Sequence, residues 1–126
     1  MITIGTDVLI EILDKKSEKG DEALKQILQS GEEISTTVIN IHEILYGLHK
    51  YGKPAKEILL LPVLNYVKKD AMLSSKIELE AEKRGNPIRR TDAMIAAITM
   101  NNGTILYAFD LKHFNPLKAV GLKLFP

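Results

Sequence analysis

Hydrophobic positions along the chain switch between a strand-like and a helix-like rhythm. Met1 to Ile4 opens with a short β-type segment. Asp7 has the chemistry of a helix cap for the apolar-rich stretch Val8, Leu9, Ile10, Ile12 and Leu13. From Asp21 to Gln29, Ala23, Leu24, Ile27 and Leu28 recur at helical spacing, and Gly31 ends the segment. Glu33 to Thr36 reads as a second strand. A helix from Val38 to about Lys50 carries the stripe Val38, Ile41, Leu45 and Leu48, closed by Gly52 and Pro54. Ala55 to Leu61 reads as a short helix and Val63 to Val67 as a buried strand. Asp70 suits the cap of a long helix to Arg84, stopped by Gly85, Asn86 and Pro87. Thr91 suits the cap of another, Asp92 to Met100, stopped by Asn101, Asn102 and Gly103. Thr104 to Ala108 is the next strand, and a short apolar segment, Leu122 to Phe125, closes the chain.

Strands that alternate with helices through short loops imply parallel strands joined by crossover helices. The expected fold class is α/β: a three-layer α/β/α domain over residues 1–126, with four or five mostly parallel strands. In such sheets the functional site lies at the carboxyl ends of the strands.

Composition narrows the classes. The chain is 45% hydrophobic and 26% charged, the balance of an ordinary globular protein. Its 126 residues suffice for one core. The absence of cysteine excludes a disulfide framework and any thiolate zinc site, and suits a reducing, cytoplasmic setting. The longest strictly apolar run, Ala93 to Ile98, is core-sized and far short of a membrane span. Seventeen basic and sixteen acidic residues leave a net charge of +1, which excludes nucleic-acid binding by bulk charge.

Three acids fall where the strand-end rule points. Glu43 lies in the first turns of the helix after the second strand. Asp92 lies in the first turn of the helix leading to the Thr104–Ala108 strand, and Asp110 follows that strand directly. Such a cluster persists mainly when a cation holds it together, and carboxylates without thiols suit Mg²⁺ or Mn²⁺. Singly, none of the three is diagnostic. A solvated helix face explains Glu43, the helix dipole explains Asp92, and an ordinary turn explains Asp110. Lys83, Arg84, Arg89 and Arg90 form a basic cluster just before Asp92, and either RNA or partner contact or a solvated loop accounts for it. His42, His49 and His113 lack metal-ligand spacing. No Walker loop, G-x-G-x-x-G or G-x-S-x-G is present, so nucleotide-hydrolase, dehydrogenase and esterase readings have no support.

Four segments together carry a resemblance. Met1-Ile-Thr-Ile-Gly-Thr-Asp-Val-Leu-Ile opens the chain, and Ile41-His-Glu-Ile-Leu-Tyr-Gly surrounds Glu43. Gly85-Asn-Pro-Ile-Arg-Arg-Thr-Asp-Ala-Met-Ile-Ala-Ala surrounds Asp92, and Leu106 to Phe114 carries Asp110. In order and spacing they resemble the PIN domain, in the small stand-alone form of VapC-type toxins from toxin–antitoxin pairs. The resemblance implies a Mg²⁺- or Mn²⁺-dependent ribonuclease. Asp92 would be a metal ligand, Asp110 a ligand directly or through water, and Glu43 a ligand or the group that positions the attacking water. It also implies a homodimer and a small antitoxin whose Arg- or Lys-bearing tail enters the acidic groove.

The resemblance has one departure at its centre. Aligned on Val8-Leu9-Ile10, the family's first aspartate falls on Gly5, which offers no metal-binding side chain. Asp7 matches the third residue of that motif and is expected to cap the helix. Either the protein is a degenerate PIN domain that binds RNA or antitoxin without chemistry, or Gly5 replaces an aspartate lost in cloning. The three retained acids favour the second. Ala108 is a further departure, at a position where the family often carries a hydroxyl.

Overall fold

The computed structural model describes residues Met1–Pro126 and bears out the parallel α/β/α architecture. Strands β1 (Ile2–Ile4), β2 (Ile34–Thr37), β3 (Val63–Leu64) and β4 (Ile105–Tyr107) form one sheet in the order β3-β2-β1-β4. Every pairing is parallel, with Ile2 beside both Ile34 and Ile105. Leu124 adds a single parallel rung to Leu106, so the closing apolar segment borders β4 without forming a full strand.

Side chains of a strand point alternately to its two faces, and here both faces are covered. Ile2, Ile4 and Tyr107 pack with Ile27 of α2 (Glu18–Ser30) and Ile44 and Leu48 of α3 (Val38–Lys50). Leu106 packs on the other side with Ile77 of α4 (Lys68–Lys83) and Ile95 and Ala96 of α5 (Arg90–Asn101). The apolar run Ala93–Ile98 is central to that second layer, which is why α5 is apolar nearly all round. Thr3 is fully buried, but its hydroxyl meets Ser35 at 3.1 Å and Thr104 at 2.6 Å. No buried side-chain nitrogen or oxygen is left without a partner.

Several local expectations are corrected. Asp7 is not a cap: Gly5 occupies the cap position of α1 (Thr6–Leu9). The helix then widens into a π-helical turn, Ile10–Asp14. Thr91 lies inside α5, whose cap position is Arg89. Asp70 sits at the third position of α4, where its Oδ2 accepts from the Val67 N–H at 3.0 Å. Ala55–Leu61 yields only a 3₁₀ turn at Ile58–Leu60. The expected buried strand Val63–Val67 is two residues long and lies at the sheet edge, with Val63 and Val67 exposed. An edge strand needs no second apolar face. On α2, Ala23 and Ile27 are buried while Leu24 and Leu28 are exposed.

Ser17 is the cap that the sequence pattern did not reveal. Its Oγ accepts from the Gly20 N–H at 3.0 Å and donates to Glu11 Oε2 at 2.6 Å. That donated bond, assisted by Lys15 and opposed by desolvation, holds the Glu11 carboxyl below its ordinary value. A lowered carboxyl stabilises the fold above its ordinary value, and the contribution fades as pH falls through the folded one. Ser17→Ala is expected to cost about 1 kcal/mol in urea unfolding through loss of the cap. The same variant should return the Glu11 midpoint toward normal in an NMR titration.

Candidate active site

Parallel topology sends the carboxyl ends of β1, β2 and β4 to one edge of the sheet. Gly5 follows β1, Asn40 and Glu43 lie in the helix after β2, and Asp110 follows β4. Asp92, in the first turn of α5, reaches the same edge. Together they line a cleft of about 250 Å³ that also takes in Thr6, Asp7, Arg89 and Ala108.

Each side chain is held by identifiable contacts. Gly5 has extended backbone (φ −76°, ψ 166°), and its N–H donates to the Tyr107 carbonyl at 2.8 Å. Asp7 ties β1 to the far end of the chain. Its Oδ2 accepts from the Phe109 N–H at 3.0 Å and the Asp110 N–H at 2.9 Å, and its Oδ1 accepts from the Val8 N–H. Asp7 therefore positions the loop that bears Asp110. Asp110 itself is exposed, with Oδ1 accepting from the Lys112 N–H at 3.1 Å.

Glu43 stands at the end of a directed relay. The Thr37 hydroxyl donates to Asn40 Oδ1 at 2.7 Å, and Asn40 Nδ2 donates to Thr6 Oγ1 at 2.9 Å. Thr6 Oγ1 donates in turn to Glu43 Oε1 at 2.7 Å. Thr37 also caps α3, so the relay begins where the helix begins. Asn40 is buried, and a sequence pattern has no way to distinguish it from a surface amide; only its capping-box spacing from Thr37 offered a signal. Asn40→Ala leaves the Thr37 hydroxyl without its acceptor and Thr6 without its donor. The expected loss is about 2 kcal/mol in denaturant unfolding, with Glu43 freed to rotate.

Asp92 is buried, and both of its oxygens are taken. Arg89 forks onto it, Nε to Oδ2 at 3.0 Å and Nη2 to Oδ1 at 3.1 Å. The Asp92 hydrogen bond and charge raise the Arg89 pKa further, and Glu43 and Asp110 act in the same direction. Arg90 turns away and forks onto Glu78 of α4 at 3.1 and 3.2 Å. Of the basic cluster, Arg89 thus faces the cleft and Arg90 staples two helices.

The donor set does not fit a preformed metal site. Gly5 supplies no side-chain oxygen, Arg89 engages Asp92, and no three Asp, Glu or His side chains stand close enough to hold one ion. The expected acids share one cleft, but they do not converge on a point within it.

The model of the PIN domain family matches residues 2–117, which span Gly5 and all three acids. This chain belongs to the PIN domain family. Its PIN fold is shared with a chain of VapBC2 from Rickettsia felis bound to a DNA fragment from their promoter, at TM-score 0.81 and 22% identity over 99% of this chain and 98% of that one. DNA-bound VapBC from Salmonella typhimurium gives TM-score 0.79 at 21% identity, covering 98% and 96%. FitAcB from Neisseria gonorrhoeae gives 0.74 at 22%, covering 100% and 97%. At these identities the likeness is one of fold. No curated protein sequence matches significantly. The PIN family is a nuclease family, and this PIN domain carries three of the four acids that the resemblance implies. None of its helices is long and apolar enough to cross a membrane.

Proposed function

We propose that this PIN domain is the nuclease toxin of a toxin–antitoxin pair, a cytoplasmic enzyme that hydrolyses RNA phosphodiesters with Mg²⁺ or Mn²⁺, impaired in this chain by Gly5. The observation that carries the reading is the shared cleft. Glu43, Asp92 and Asp110 line it at the strand-end edge of a PIN fold, with Gly5 on its wall. Thr6 and Asn40 hold Glu43, and Asp7 holds the Asp110 loop, so two of the three acids are positioned by residues of the same cleft wall. In this reading the acids hold a divalent ion once an acid at position 5 completes the set.

The partner follows from the same surface. A cleft lined by acids attracts an Arg- or Lys-bearing antitoxin tail. A toxin–antitoxin complex from Klebsiella pneumoniae shares this fold at TM-score 0.73 and 19% identity, which supports an antitoxin here. Leu24 and Leu28 on α2 and Tyr46 on α3 are exposed and supply apolar area for a homodimer.

A second reading is a degenerate PIN domain that binds RNA or antitoxin without cleavage, favoured by the Arg89 fork and the absence of a converged metal set. A paired assay separates them: this chain and its Gly5→Asp form on structured RNAs, with Mg²⁺ or Mn²⁺ and with EDTA. Cleavage by the Asp form, stopped by EDTA, is the expected result. Failure of both forms to cut would leave the binding module.

A further inference from the structure

We infer that Arg89 is the resident cation of the acidic cleft and competes with a divalent metal for Asp92; the inference rests on the nuclease reading of the cleft and specifies how that site is regulated. The Asp92 side chain is 4% exposed and fixed in the first turn of α5, whereas the Arg89 side chain is 66% exposed. Of the two partners, only the arginine can leave without unfolding anything. The fork occupies a lone pair on each carboxylate oxygen, at 3.0 and 3.1 Å. A dication approaching Asp92 would also meet a like charge within a few ångströms, so guanidinium and metal oppose one another there.

The neighbouring residue shows that the direction is specific. Arg90 has the same side chain and sits one position along, yet it pairs with Glu78 on the outer face. Arg89 instead turns toward the cleft, where Glu43 and Asp110 add their attraction to that of Asp92. It thereby supplies the positive charge that clustered acids need when no metal is bound. Gly5 strengthens the device, because the cleft lacks the carboxylate that would help a metal outcompete the arginine.

The test is direct Mn²⁺ binding, measured by calorimetry and by the thermal shift that Mn²⁺ produces. It uses the full chain and Arg89→Gln, each with Gly5 and each with Gly5→Asp. Arg89→Gln is expected to lower the Mn²⁺ dissociation constant about tenfold to a hundredfold in both backgrounds, the scale of a forked charge-assisted pair. Its melting temperature should rise with Mn²⁺ by more than that of the parent. Arg89→Lys keeps the charge without the fork and should fall between; it carries the same comparison if the Gln variant does not fold. Unchanged Mn²⁺ affinity in both backgrounds would overturn the inference, even if Gly5→Asp cleaves RNA. Tighter Mn²⁺ binding without cleavage by any form would uphold it and sink the nuclease reading instead.

Discussion

Gly5→Asp is expected to raise metal-dependent RNA cleavage by at least about a hundredfold, the scale on which a metal site loses function when its shell is incomplete. The backbone accepts the change. Gly5 is extended, so an L-residue meets no conformational barrier, and its N–H bond to Tyr107 is kept. A Cβ there would lie 3.1 Å from the Tyr107 carbonyl oxygen and 3.6 Å from the Ala108 Cβ. The first contact is tight and asks β4 to give by a few tenths of an ångström; the second is ordinary. The stability cost is about 1 kcal/mol. The same Cβ lies 3.5 Å from Asp7 Oδ1, so the new carboxylate enters a site already rich in negative charge. Without metal it should lower the melting temperature, and Mn²⁺ should reverse the loss more strongly than in the parent. An Asp form that stays inert on several structured RNAs with either ion would remove most support for the enzyme.

Gly20→Ala should be the most destabilising of the small substitutions. Its Cβ would lie 2.1 Å from the Glu11 carbonyl oxygen, 2.4 Å from the Glu11 carbonyl carbon and 2.8 Å from the Ile12 nitrogen. All three are backbone atoms, so no side chain can rotate aside. The first turn of α2 must retreat from the π-helical turn, and α2 carries Ala23 and Ile27 into the core. A loss of about 3 kcal/mol follows, at the upper end for overpacking. In a domain of this size that is a fall of about 12 °C in melting temperature. Gly47→Ala is the control: it also lies within a helix, but a Cβ there meets nothing within 4 Å. That variant should match or exceed the parent by up to about 1 kcal/mol through helix propensity. If Gly20→Ala melted alongside Gly47→Ala, the close approach of α2 to the turn would be wrong.

The order of elements, the parallel sheet and the edge at which the acids gather were all legible in the chain alone. Those properties rest on local periodicity and on a topological rule: strand–helix–strand alternation forces crossovers, and crossovers send every strand's carboxyl end the same way. The α3 span Val38–Lys50 and the stop at Gly31 were legible because a helical repeat and a left-handed cap are written within one or two turns, but the expected stripe was only partly right: Val38 is exposed and Ile44, outside it, is buried. Where side chains end is settled by packing and was not legible. Asp7 has the composition of a cap, yet its carboxylate serves backbone N–H groups 102 and 103 residues away. Arg89 and Arg90 are identical and adjacent, yet one turns to the cleft and the other to α4. Gly20 is constrained by the backbone of another segment, which leaves no mark in its own neighbourhood. Whether the acids converge on one point depends on side-chain directions and on an arginine among them. Those are set only when packed elements fix the Cβ vectors, and a linear pattern carries no record of them.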